Sequence, residues 1–389
     1  MDAGQGIYLH IPFCKQACNY CNFHFSTSMR GRPQILKALQ REIELRAEEW
    51  LRLPVKTIYL GGGTPSLLQP QELDMLFASL EANQPLQQLE EITLEANPDD
   101  LDRVTIYQLA SSPVNRLSIG IQSFHEADLQ FMQRAHSAEE ALQSLTLVRA
   151  ADFNNLSIDL IYGSPTTSLI MWEENLQRAI DLGIPHISAY ALTVEPRTAL
   201  AHQIKTGQSP PVDEGKAAEQ FAVLVEKLTA AGYEQYEISN FSLPGYYSQH
   251  NSSYWRGLPY IGIGPSAHSF DGQQERRWNV ANNARYQQLV LSLKQPEDYY
   301  QLQGLYTTEQ LSKADRYNER VMTSLRTSHG LDFQALKAEF GSDFSDYFEQ
   351  QVLEHLQQGQ LILDEDQHYR LSTHARFLAD GIAAQAFWV

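Results

Sequence analysis

Short apolar runs recur along the first half of the chain, at Gly6–Phe13, Val55–Leu60, Glu91–Ala96, Arg116–Gln122, Leu156–Tyr162 and His186–Thr193. Between them, at Gln34–Trp50, Gln71–Ala82, Leu101–Ser111, Ala138–Ala150 and Leu169–Leu182, apolar residues return every three or four positions. The first pattern predicts strands and the second amphipathic helices. Their alternation predicts an α/β fold with a parallel sheet and crossover helices. Six such units favour a partial (β/α)6 barrel over a flat doubly wound sheet, two arrangements that periodicity alone separates poorly. In a barrel, the reactive groups gather at the C-terminal ends of the strands.

The pattern changes after a further helix at Asp213–Ala231. A strand is expected at Tyr233–Phe241, and the glycines of Tyr260–Phe270 imply tight backbone near a site. Helices are expected at Thr308–Thr327, Phe333–Phe340 and Asp346–Gln357, then short strands at Leu361–Asp364 and Tyr369–Leu371, and a last helix at Thr373–Ala386. Helices followed by a small hairpin make a winged-helix-like α+β unit. The expected division is a barrel over 1–232, an extension over 233–304 and a C-terminal domain over 305–389.

Composition narrows the function classes. At 389 residues with 43% hydrophobic and 20% charged positions, the chain is globular. No apolar run approaches a membrane span. Residues Met1–Gln5 lack the basic and apolar regions of a signal peptide, so the expected location is cytoplasmic. A formal charge of −18 argues against nucleic acid as a partner, the winged-helix unit included.

The three cysteines are the candidate chemistry. Cys14, Cys18 and Cys21 lie in one short loop after the first strand, spaced C-x₃-C-x₂-C, with none elsewhere to pair with. Such clustering points to metal binding in a reducing compartment and not to disulfides. Three thiolates can hold three corners of a [4Fe–4S] cluster and leave the fourth iron open. Zinc is the competing reading, since His24 would complete a Cys₃His site. Tyr20 beside Cys21 and the turn Gly61-Gly62-Gly63-Thr64-Pro65 favour the cluster, because successive glycines let backbone approach a ligand closely.

The C-x₃-C-x-Tyr-C loop and the glycine turn together resemble the radical S-adenosylmethionine superfamily. Its members chelate the cosubstrate at the open iron and generate a 5′-deoxyadenosyl radical. Longer matches at Tyr8–Cys14, Gly61–Ser66, Glu95–Pro98, Asn115–Phe124, Asp159–Gly163, His186–Tyr190 and Glu195-Pro196 resemble the oxygen-independent coproporphyrinogen III oxidase-like family. The resemblance implies that Tyr8 contacts the cosubstrate near the cluster and that Tyr20 borders the adenine. It places Gly62, Gly63 and Thr64 at the amino-acid end, with Glu95, Gln122, Arg134 and Asp159 around the cosubstrate. Carboxylates suit ribose hydroxyls and positive charge, and a guanidinium suits a carboxylate.

Two departures from the oxidases stand out. Their fourth cysteine, two residues after the third, is here Phe23. Their additional N-terminal segment is also not seen ahead of the first strand. Both weigh against propionate decarboxylation. The segment His250-Asn251-Ser252-Ser253-Tyr254-Trp255 instead resembles the H-N-x-x-Y-W motif of the family's haem chaperone branch, in which the histidine is implicated in holding haem. Imidazole is an axial haem ligand, and aromatic faces suit a porphyrin. His268 ranks second for this role. The resemblance therefore implies a haem carrier that passes haem to acceptor apoproteins, respiratory haem enzymes among them. Its scaffold would hold a [4Fe–4S] cluster and S-adenosylmethionine. The alternative is a coproporphyrinogen III dehydrogenase.

Overall fold

A computed structural model describes residues 4–389. Six parallel strands follow one another in register: β1 (Gln5–Ile11), β2 (Val55–Gly62), β3 (Glu91–Ala96), β4 (Arg116–Gln122), β5 (Leu156–Tyr162) and β6 (His186–Ala191). They form the predicted partial barrel. Ile7, Leu9 and Ile11 of β1, Ile58 and Leu60 of β2, and Ile119 and Ile121 of β4 are wholly buried, as strands covered by helices require. The crossover helices begin where caps dictate. Ser137 accepts from the Glu140 amide and Glu140 reaches back, so the helix Ala138–Ala150 starts there. Asp102 and Ser168 cap Arg103–Ala110 and Leu169–Asp181 in the same way.

The sheet continues on both sides. The run expected as one strand at Tyr233–Phe241 is a hairpin, β7 (Glu234–Glu237) and β8 (Asn240–Ser242), with β8 antiparallel to β6. On the other side β9 (Tyr260–Ile263) runs parallel to β1, followed by antiparallel β10 (His268–Phe270), β11 (Glu275–Asn279) and β12 (Tyr306–Gln310). The twelve strands lie in the order β12-β11-β10-β9-β1-β2-β3-β4-β5-β6-β8-β7.

The helix expected from Thr308 begins only at Lys313, behind the Ser312 cap. The residues ahead of it alternate as strand β12, and they belong to the large sheet because β11 supplies a partner. The smaller unit therefore takes up the chain after residue 311 and not at 305. It has its own core, from Tyr317 to Ala386. Helix Lys313–Leu325 is followed by β13 (Leu331–Asp332), then by helices Phe333–Phe340 and Ser342–Gln357, and then by β14 (Leu361–Leu363) and β15 (His368–Leu371), the three strands forming an antiparallel sheet ordered β13-β15-β14. The last expected helix is a 3-10 turn, Thr373–Leu378, followed by helix Ala379–Gln385. Backbone hydrogen bonds Ile238 N–H to Arg326 O and Ser328 N–H to Tyr236 O, both 3.0 Å, join the two units.

Candidate cluster and cosubstrate site

The cysteine loop leaves the C-terminal end of β1 and is clasped at its base. Cys14 N–H donates to Ser26 O at 3.1 Å and Ser26 N–H to Pro12 O at 2.9 Å. Lys15 pairs with Asp99 and Asp100, tying the loop to the end of β3. The glycine turn presses against the same strand end: Gly63 N–H donates to Ile11 O at 2.9 Å and Thr64 N–H to Phe13 O at 2.7 Å. A Cβ on Gly63 would stand 2.6 Å from both of those carbonyl oxygens, so only glycine fits. Gly62 has φ of 101°, the left-handed region.

These segments enclose a cavity of about 180 Å³. Of the residues singled out in the sequence, Cys14, Cys18, Cys21, Tyr20, Gly62, Gly63, Thr64, Glu95, Gln122, Arg134 and Asp159 all line it. Tyr8 does not. It lies deeper, with its hydroxyl 3.2 Å from His10 Nδ1 and its ring 6.1 Å from that of Tyr59. Phe23, at the position of the oxidases' fourth cysteine, is 69% exposed at the cavity mouth.

Arg134 organises one wall. Its Nη2 donates to Asn97 Oδ1 at 2.6 Å and Gly120 O at 2.9 Å, and its Nη1 to Cys18 Sγ at 3.4 Å. Asn97 in turn donates to Thr64 Oγ1 at 3.1 Å. Glu95 forms the floor, accepting from Tyr59 Oη at 2.8 Å and Gly62 N–H at 3.1 Å. Burial, helped by the nearby Asp159 charge, raises Glu95 to about 7 against the pull of those two hydrogen bonds. Burial likewise raises Asp159 to about 6, opposed by Ser188 and the Arg134 and Arg116 charges. Gln122 closes its strand in the left-handed region, φ 65°, beside a register shift between β4 and β5. Sequence reasoning missed Asn97 and Tyr59. Tyr59 shares a strand face with Gly61, so period-two alternation along β2 could have revealed it.

The cysteines are free and half-buried. Burial pushes the Cys14 thiol up to about 11 and raises Cys21, so their thiolates call for positive charge at the site. Among the described residues, no three His, Cys, Asp or Glu side chains converge as ligands of one metal ion. His24, the zinc candidate, instead hydrogen-bonds Asn283 Oδ1 at 2.7 Å. The donor set fits a cluster, whose thiolates sit on separate irons and need not converge.

His250 lies elsewhere. Its helix, Gln249–Trp255, packs under the lower ends of the strands, opposite the cysteine loop. Its ring sits beside Gly6 and Thr57, near the starts of β1 and β2. Ser248 caps this helix, and the buried Glu91 carboxylate accepts from Gln249 N–H at 2.8 Å and His250 N–H at 3.0 Å, where the helix dipole favours negative charge. His250 is wholly buried, with Nδ1 2.8 Å from Thr57 Oγ1 and Nε2 2.9 Å from Tyr254 Oη. Both ring nitrogens are therefore already engaged. His268 is exposed and stacks on Trp278, ring centroids 5.7 Å apart.

A partial barrel with three cysteines in the β1 loop and a glycine turn after β2 defines a radical S-adenosylmethionine protein. The Radical SAM superfamily model matches residues 8–192, and the HemN C-terminal domain model matches 311–378. Membership of that superfamily implies a [4Fe–4S] cluster and S-adenosylmethionine. The chain is 32% identical to the heme chaperone HemW of Lactococcus lactis over 390 residues, covering 96% of this chain and 97% of that one. It is 40% identical to the Escherichia coli heme chaperone HemW over 269 residues, 67% of this chain and 69% of that one. The chain belongs to the HemW family. The solved E. coli coproporphyrinogen III oxidase HemN shares the fold, with a TM-score of 0.82, 23% identity and coverage of 99% of this chain and 90% of that one.

Proposed function

We propose that this protein is a haem chaperone that binds haem as cargo and delivers it to acceptor apoproteins, respiratory haem enzymes among them. Membership of the HemW family over nearly the full chain carries this reading. Two features support it: Phe23 in place of a fourth cysteine, and the H-N-x-x-Y-W helix built into the barrel floor. No helix among the described residues is long and apolar enough to cross a membrane. We assign it to the cytoplasm, with any membrane contact made through acceptors.

Cys14, Cys18 and Cys21 would hold the [4Fe–4S] cluster, which when bound supplies an open iron for chelation and one-electron chemistry. Gly62, Gly63 and Thr64 would receive the amino-acid end of S-adenosylmethionine on backbone and hydroxyl groups. Tyr20 would flank the adenine, and Tyr8 would support the site from beneath. Arg134 holds Asn97, Cys18 and the β4 end in place, while Glu95, Gln122 and Asp159 offer polar partners to ribose and to positive charge. His250 can approach an iron only by giving up one hydrogen bond. The Tyr254 contact is the one to yield, since Tyr254 is less buried than Thr57. His268, exposed on β10, is the second candidate.

The test is anaerobic cluster reconstitution followed by haem titration, with and without S-adenosylmethionine. Stoichiometric haem uptake and transfer to an apo-haemoprotein are expected. Protoporphyrinogen formed from coproporphyrinogen III would make the protein a dehydrogenase instead.

A further inference from the structure

A second cavity, of about 260 Å³, lies where the C-terminal unit meets the β7–β8 hairpin. Three of its lining side chains are arginines, Arg326, Arg370 and Arg376, in a chain whose formal charge is −18. Their hydrogen-bonding capacity is not used up. Arg376 Nη1 has only the neutral Gln235 Oε1, at 2.5 Å, and burial lowers this guanidinium from its usual value. The Nε atoms of Arg326 and Arg370 are both buried without a hydrogen-bond partner. Buried polar atoms are normally satisfied, so this cluster is poised for further acceptors. Arg326 pairs with Asp380, which is mostly exposed, and Arg370 with Asp364 on the outer side. Ion pairs open to water are screened and exchange readily.

One carboxylate faces the arginines. Glu237 Oε2 lies 3.9 Å from Arg326 Nη2 and accepts no hydrogen bond, while its other oxygen is held by Ser239 and Asn240. The lining therefore carries three positive charges against one negative. Arg326 also connects the cavity to the H-N-x-x-Y-W helix. Its guanidinium carbon is 5.3 Å from the centre of the Trp255 ring, whose buried Nε1–H has no acceptor.

From this placement we infer that the Arg326/Arg370/Arg376 cavity is a carboxylate-binding site that receives the propionates of the haem cargo. The inference rests on the haem chaperone reading and locates where the cargo's charged edge docks. Guanidinium groups recognise carboxylates in two-pronged geometry, and two propionates require at least two of them. The cavity's position beside Trp255 places the acidic edge of the cargo next to the helix that carries His250.

Haem is titrated by absorbance into the full-length protein prepared anaerobically, unaltered and as the pair Arg370→Gln with Arg376→Gln. Arg376→Lys serves as the charge-keeping control, and thermal unfolding verifies that each variant is folded. Iron protoporphyrin dimethyl ester is the second probe. The double variant should bind haem at least ~10-fold more weakly, and the ester should bind the unaltered protein with a similar loss, because either change removes the charge-assisted pairs. Arg376→Lys should retain most of the affinity. Equal binding of haem by the double variant, with the ester binding as well as haem, overturns the site and leaves the chaperone reading standing. No haem binding by the unaltered protein overturns both. Succinate that raises the melting temperature of the unaltered protein alone, without competing with haem, assigns the cavity to a small dicarboxylate and overturns the propionate assignment.

Discussion

The ring of Tyr59 stacks on the imidazole of His250, with 5.1 Å between centroids. The hydroxyl of the same tyrosine donates to Glu95 on the cavity floor at 2.8 Å. One side chain thus spans the barrel interior, from the cluster cavity at the top to the motif histidine at the bottom.

His250→Ala should weaken haem binding while leaving iron and sulfide content unchanged, because the cluster lies at the opposite end of the strands. It should also cost about 2–3 kcal/mol of stability, since Thr57 and Tyr254 lose a buried partner and a cavity opens. Haem titration and urea unfolding on the same variant separate the two effects.

The Glu95 carboxyl, raised to about 7, makes the metal-free protein less stable as pH rises. The folded form keeps a proton that the unfolded chain releases near 4.5. Stability therefore falls between 4.5 and 7, and the penalty is complete above 7. Glu95→Gln should remove that loss, on the order of 3 kcal/mol at pH 8. Tyr59→Phe, which deletes a donor to the carboxylate, should move the transition upward. Urea titrations at pH 5 and pH 8 would show both effects.

His250 acts in the opposite sense. Burial lowers it to about 3, so the unfolded chain takes up a proton near 6.5 that the folded form refuses. Its contribution is complete above 6.5 and is lost progressively as pH falls below that value. His250→Gln should flatten the decline in stability between pH 6.5 and 4.5, measured against the unaltered protein.

Gly63→Ala should reduce stability by about 1–3 kcal/mol and abolish S-adenosylmethionine binding. The added Cβ meets Ile11 O and Phe13 O at 2.6 Å and Phe13 N at 2.7 Å, and backbone atoms cannot rotate away. Calorimetric titration with the cosubstrate, after reconstitution, checks the second effect.

Arg134→Lys should lower S-adenosylmethionine affinity at least ~10-fold with the cluster retained, because an ammonium cannot bridge Asn97, Gly120 and Cys18 together. Single Cys→Ala changes at 14, 18 or 21 should instead lose the iron itself, read by metal analysis.

The chain order of polar and apolar residues determined much of this protein. Alternating periods place β3, β4 and β5 at the residues the pattern predicts, because buried parallel strands need near-continuous apolar runs. Cysteine spacing and the glycine turn pointed to Cys14, Cys18, Cys21, Tyr20, Gly62, Gly63 and Thr64, the family resemblance added Glu95, Gln122, Arg134 and Asp159, and all of them line one cavity. What lay beyond sequence was set by contacts between distant segments. Residues 308–310 read as the start of a helix, and only pairing with β11 makes them strand. The burial of His250 depended on Glu91, far away in the chain, holding its helix under the barrel. The junction of three arginines came from the docking of β7 against the C-terminal unit. Local periodicity encodes which face of an element is apolar. It carries no record of which distant polar group will stand opposite, and that was decided by the packing alone.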